Sequence, residues 1–335
     1  MFLRVTKSIL VLLLFLALPS CRFIDEDMTD CDRDLSMDYE LRLATNITTQ
    51  LETELSLETE VAVATALEAY LREVFTDRAH DVDLSFYDVE GAQERLHHER
   101  HIMDANQTSY TLHIPVHRYL HLGLANLESN PSLTLENDGT ASGSCLQQQI
   151  ADTLSSHRQG VFTARQPMDV REGEDQSFKV NLYMANCAAS LVLDTLGSRV
   201  RDIRVFATGF ATAFDVADSV YRYQYNPIIR ADKVEVADPG SNLCYATVTF
   251  PSRMPETKAG ENAAETYWEY RVYSYLPNGS ITETKLSVTH PLGPAQLDIL
   301  KAKVYGNGAL EPDDVSVGVS VSLDWKPGMD HVVIL

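Results

Sequence analysis

The chain has 335 residues, with 48 acidic against 27 basic side chains, a formal charge of −21, and 44% hydrophobic and 8% aromatic residues. A field of that sign repels nucleic acid and anionic lipid surfaces and argues against both as partners. The hydrophobic content is that of ordinary globular protein, and the length suits two domains of usual size.

Residues 1–20 read as a secretory signal. Arg4 and Lys7 supply a positive region, and Ile9–Leu18 is an unbroken apolar run, too short for a bilayer span of roughly twenty residues. Leu18-Pro19-Ser20-Cys21 resembles a bacterial lipobox, which implies that Cys21 is acylated and opens the mature chain. Several acyl chains on one residue would hold it to a membrane durably, at about 0.8 kcal/mol per buried CH₂. In residues 21–34, Asp25, Glu26, Asp27, Asp30, Asp32 and Asp34 form an acidic tether too charged to pack. An acidic run after an acylated cysteine resembles the surface-export signal of lipoproteins in Gram-negative anaerobes. The expected location is the cell outer membrane, lipid-anchored and surface-exposed. No later segment is long and apolar enough to span a membrane.

Further along, Ser36–Leu43 alternates Met37, Tyr39, Leu41 and Leu43 on one face, the pattern of a half-buried strand. Over 57–75 the period becomes helical, with Val63, Leu67, Tyr70, Leu71 and Val74 in one stripe. His80–Tyr87 returns to strand, Val82, Leu84 and Phe86 alternating with Asp81, Asp83 and Ser85, and Asp88-Val89-Glu90-Gly91 turns it back. Thr108–Val116 and Tyr119–Leu127 read as strands, Ser129–Gly143 as a loop and Leu146–His157 as a short helix. Residues 171–176 look like a linker. Beyond it Phe178–Met184, Ala189–Leu193, Ile203–Gly209, Tyr245–Phe250, Tyr267–Leu276, Val315–Trp325 and His331–Leu335 are strands, with a turn at Leu276-Pro277-Asn278-Gly279. The pattern predicts a mainly β protein of two β-sandwiches, the first (35–172) with an inserted helix and the second spanning 177–335.

Few constellations carry chemistry. No HExxH, G-x-S-x-G, Walker or Gly-rich dinucleotide motif occurs, and neither catalysis nor a cofactor is expected. His97, Glu99 and His101 would share one strand face, and His113, His117 and His121 another; zinc could use such a set, but Arg100 intrudes and no metal is expected. With Cys21 acylated, Cys31, Cys145, Cys187 and Cys244 allow three disulfide connectivities, and a division near residue 175 favours Cys31–Cys145 and Cys187–Cys244. The aromatic strand at 267–275 puts Trp268 and Tyr270 on one face and Tyr267, Tyr273 and Tyr275 on the other. One set should be core, and the second set is a candidate partner or glycan contact. Asp152-Thr153-Leu154, Asp194-Thr195-Leu196 and Asp218-Ser219-Val220 look like a three-residue O-glycosylation acceptor pattern.

Several stretches together carry a resemblance. Asp30-Cys31 precedes a first strand just beyond the lipobox, and Val82-Asp83-Leu84-Ser85-Phe86-Tyr87-Asp88 is followed by Glu90-Gly91. His117–Leu127, Gly160–Ala164 and Phe178–Leu182 follow in order. The series resembles the fimbrillin-associated anchor lipoproteins of type V fimbriae. The chain departs from that pattern in the helix before Phe86-Tyr87-Asp88 and in Leu124, where the family often has Trp, which leaves a basal anchor and an accessory subunit both open. The resemblance implies two tandem transthyretin-like Greek-key β-sandwiches and no catalysis. It also implies fimbrial structural subunits as partners and a role attaching or terminating a fibre at the outer membrane. It implies assembly by strand donation, in which a lipid-anchored chain keeps its first strand and offers its C-terminal end. The alternative is a surface glycan-binding accessory lipoprotein, with Tyr267, Tyr273 and Tyr275 as its platform.

Overall fold

The computed structural model describes residues 35–44, 61–75, 79–102, 109–172, 176–237, 240–254, 266–314 and 317–325. The signal, Cys21, the tether, Cys31 and the segment His331–Leu335 lie outside the described residues. The first half of the chain runs β1 (Leu35–Ala44), α1 (Val61–Val74), β2 (Asp81–Asp88), β3 (Arg95–Ile102), β4 (Ser109–Ile114), β5 (Arg118–Ala125), β6 (Leu133–Glu136), β7 (Cys145–Gln148), β8 (Leu154–Ser155) and β9 (Phe162–Asp169). The second runs β10 (Ser177–Met184), β11 (Cys187–Asp194), β12 (Asp202–Thr208), β13 (Ala213–Asp215), β14 (Val220–Arg222), β15 (Ile229–Arg230), β16 (Asp232–Val234) and β17 (Asn242–Thr249). It closes with β18 (Trp268–Tyr275), β19 (Ile281–Val288), β20 (Leu297–Val304), β21 (Leu310–Pro312) and β22 (Val317–Trp325). The protein is mainly β.

Four sheets stack through three buried cores. Sheet I has the order β3-β2-β5-β9-β10-β1-β4, sheet II β16-β17-β11-β20-β21, sheet III β22-β19-β18-β12-β15-β8 and sheet IV β14-β13-β7-β6. α1 lies between sheets I and II, because Val63, Leu67, Leu71 and Val74 fall on one face and are buried with Leu84, Val180, Val248 and Leu297. Burying four such side chains contributes roughly 6–12 kcal/mol before the entropy of ordering the helix. Sheet II is covered on both faces, by sheet I and α1 on one side and by sheet III on the other. This is why β11 reads Cys-Ala-Ala-Ser-Leu-Val-Leu with nearly every side chain buried. Sheet IV covers the far side of sheet I through Leu133, Leu146 and Phe214.

The two halves interlock. β10 belongs to sheet I, where Tyr183 and Met184 pair with Thr163 and Phe162 of β9, so the expected break at 173–176 does not divide the sheets. β7 pairs with β13, and β8 runs parallel to β15. Those long-range pairings replace the expected helix over Leu146–His157: its local periodicity is overridden by strand partners more than sixty residues away. Similarly, β6 forms inside the expected loop of 129–143 by pairing with β7. β2 was expected to wet one face, yet Asp81, Asp83 and Ser85 are buried as well. The Asp81 carboxylate accepts the backbone N–H groups of Leu127 (2.9 Å) and Glu128 (3.2 Å), which satisfies it at the turn after β5.

Candidate functional site

Two of the terminal strands, β3 and β22, contrast in the side chains they carry. β3 closes sheet I with the sequence Arg-Leu-His-His-Glu-Arg-His-Ile. Glu99 lies 2.7 Å from both His97 Nε2 and His101 Nε2, while Asp83 lies 2.9 Å from His98 Nε2 and 3.2 Å from Arg100 Nη2. Ionic side chains on both faces of a terminal strand discourage another strand from adding there. β22, the terminal strand of sheet III, has Val and Ser or Gly in alternation over 317–321 and pairs only with β19 among the described residues.

The register places Val317 against Val288, Val319 against Leu286 and Val321 against Thr284, all directed toward the sandwich core. Val317 is 5% exposed, but Val319 and Val321 are 44% and 41% exposed. Sheet II opposite ends at β21, only three residues long (Leu310–Pro312). Among the described residues, the result is a row of backbone donors and acceptors without a partner strand beside two exposed valines. That combination takes an added strand: the backbone supplies the pairing and alternate side chains the register.

The aromatic strand β18 divides as alternation requires. Trp268 and Tyr270 are buried, and Tyr273 and Tyr275 lie on the outward face of sheet III. Tyr273 donates its hydroxyl to Glu283 (3.1 Å) and packs edge-on to Phe206 at 5.8 Å, and the Arg204 guanidinium sits 5.0 Å from the Tyr275 ring centroid. Tyr267 does not join them. Six residues back along an extended chain it stands about 20 Å away, packing partly on the core and lining a separate cleft with Tyr223, Tyr225 and Arg253.

The two histidine faces do not form one site. His97 and His101 flank Glu99 on β3, whereas His113 lies on β4 at the opposite edge of sheet I. His121 is buried, stacked on Phe86 at 4.4 Å, with Nδ1 3.1 Å from the Ser85 carbonyl. Burial holds its pKa down to about 4. Among the described residues no cluster of His, Cys, Asp and Glu could hold a metal ion.

The Cys187–Cys244 disulfide is corrected by the fold. Cys145, Cys187 and Cys244 are buried free thiols. Cys244 pairs in register with Val192, five residues beyond Cys187 on β11, a separation of about 17 Å where a disulfide needs Cα atoms within about 7 Å. Their side chains also enter different cores, Cys187 between sheets II and III and Cys244 beside α1. Burial raises the Cys145 thiol to about 11 and the Cys244 thiol to about 12, and pushes that of Cys187 higher still. The Cys31 half of the other pair lies outside the described residues.

Of the three acceptor-like tripeptides, only Ser219 stands in the open, in a positive-φ turn. The Thr195 hydroxyl is bonded to the Ser241 carbonyl, and the Thr153 hydroxyl is shielded from solvent.

No family model and no curated protein matches the sequence. Solved structures do resemble it. A candidate adhesin from Bacteroides ovatus aligns with 88% of this chain and 97% of its own, at 11% identity and a TM-score of 0.51. A candidate polysaccharide-binding protein from Bacteroides thetaiotaomicron covers 84% of this chain and 97% of its own, at 9% identity and a TM-score of 0.50. The fimbrial anchor protein Mfa2 from Porphyromonas gingivalis covers 87% and 99% at 7% identity and a TM-score of 0.46. At these identities the likeness is one of fold, shared with the candidate adhesin and the candidate polysaccharide-binding protein.

Proposed function

We propose that the protein is a non-enzymatic accessory subunit of a cell-surface fimbria, attached to the outer membrane through lipid on Cys21. Its β22 edge takes a strand from a fimbrial structural subunit, attaching or ending the fibre. The observation that carries this reading is the edge at β22: among the described residues no strand pairs with its outer side, and Val319 and Val321 are exposed there, while the edge at β3 is charged. The order of motifs resembling fimbrial anchor lipoproteins and the fold likeness to candidate adhesins support it. On the same reading, sheets II and III form one transthyretin-like sandwich and sheet I, with α1, the larger part of the other.

The test separates membrane hold from fibre hold. Cys21→Ala should release the protein from membranes. Val319→Lys with Val321→Lys should leave a folded, membrane-bound protein whose fibres appear in the medium, because two ammonium groups oppose strand addition. Fibres that stay attached to the double variant would sink the reading.

A further inference from the structure

The wall of the C-terminal sandwich away from β22 opens into a cleft of about 1010 Å³ between β12 of sheet III and the β15–β16 crossing into sheet II. It forms where β15 pairs with Phe206 and Ala207 and the Ala231 N–H donates to the Val205 carbonyl (3.0 Å), while among the described residues Asp202–Arg204 of β12 have no partner strand on that side before the chain crosses to β16. Its charge runs against the rest of the molecule. Arg201, Arg204, Arg230 and Lys233 line it against two carboxylates, Asp202 and Asp232, a local excess of two positive charges in a chain of −21.

Both carboxylates are partly engaged. Asp232 accepts the Tyr70 hydroxyl at 2.9 Å, and Asp202 lies 3.6 Å from Arg204 Nε. Among the described residues no ion pair holds Arg201, Arg230 or Lys233. The wall also carries the hydroxyl residues Thr153, Thr195 and Ser198. At the rim, Arg204 and Phe206 join the cleft to the rings of Tyr275 and Tyr273.

We propose that this cleft binds an acidic saccharide, its carboxylate or sulfate groups held by Arg201, Arg230 and Lys233 and its sugar rings lying along Phe206 toward Tyr275. The volume is at the upper end for small-ligand clefts, room for several sugar units. Guanidinium groups meet carboxylate and sulfate oxygens in paired hydrogen bonds, and aromatic faces beside polar hydroxyls suit a polyhydroxylated ring. Nucleic acid, with a charge every ~1.7 Å along a duplex, would extend past the cleft and meet the repulsion of a chain of net charge −21. This site is separate from β22, so neither proposal depends on the other.

The test is titration calorimetry of the full mature chain with oligogalacturonate, dextran sulfate, neutral dextran and a poly-glutamate peptide. Saturable binding of one or both anionic glycans, weakening as salt rises, is expected, and which of the two binds names carboxylate or sulfate as the recognised group. Arg230→Glu with Lys233→Glu should weaken that binding at least tenfold. Arg118→Glu with Arg165→Glu, an equal charge change at exposed positions on sheet I, should alter it less than threefold. Failure of both anionic glycans to bind, equal binding of neutral dextran, or equal loss in the two double variants would overturn the proposal. Poly-glutamate binding as tight as the better glycan would assign the cleft to acidic protein instead, and would overturn it as well.

Discussion

Gly209 follows β12 and packs against the start of the aromatic strand, and replacing it by alanine tests that contact. Its φ is +98°, and an added Cβ would stand 2.6 Å from both Trp268 Cα and the Tyr267 carbonyl oxygen, backbone atoms that cannot swing aside. A non-glycine residue held in such a conformation costs about 1–3 kcal/mol, and forcing a carbon into occupied space costs about 1–3 kcal/mol more. Gly209→Ala should therefore lose roughly 2–6 kcal/mol, lowering Tm by about 5–15 °C at the few degrees per kcal/mol usual for chains of this size. Gly197 is the internal control: its φ is +80°, but nothing lies within 4 Å of its virtual Cβ, so Gly197→Ala bears the conformational cost alone. Thermal unfolding followed by circular dichroism on both variants gives the comparison. Gly209→Ala unfolding at or above the temperature of Gly197→Ala would refute the packing argument.

Two further outcomes follow from buried titratable groups. Because Cys187 and Cys244 are separate buried thiols, peptide mapping after alkylation of the unfolded, unreduced protein should find both modified, and the native protein should react slowly with thiol reagents; a Cys187–Cys244 linked peptide would contradict the register of β11 with β17. Burial depresses His121 to about 4 and His157 to about 3, so the unfolded chain takes up these protons first. Their contribution is complete above about pH 6.5 and is lost as pH falls toward 4 for His121 and toward 3 for His157, at up to about 1.4 kcal/mol per pH unit for each. Urea unfolding of His121→Gln between pH 6.5 and 4 should show a slope shallower by close to one proton, and an unchanged slope would place the imidazole in water.

What the sequence revealed divides along physical lines. Where one side chain in two meets a core and its neighbour meets solvent, the pattern is local and legible. β10 and β12 were found to within a few residues, and the stripe Val63, Leu67, Leu71 and Val74 marked α1. β2 and β11 are covered on both faces, and there alternation says nothing about which side is solvent. Short strands such as β7 and β8 depend on distant segments that pair with them, β13 and β15, so a window on 146–157 holds little trace of them.

The candidate sites follow the same rule. The valine alternation of β22 is written in its own residues, but the exposure of Val319 and Val321 depends on what packs against them from elsewhere in the chain. The cations of the cleft were not picked out at all, since Arg201, Arg204, Arg230 and Lys233 come from separate segments and only the crossing between sheets gathers them. Tyr273 and Tyr275 were placed together by parity, whereas Tyr267, of the same parity, is separated from them by the length of the strand.

Strand addition at β22 is most directly tested in intact cells. A photo-crosslinking amino acid at position 319 or 321 should capture a fimbrial structural subunit on irradiation, while the same probe at position 98 on the charged β3 edge should not. Capture from position 98, with none from 319 or 321, would contradict the account.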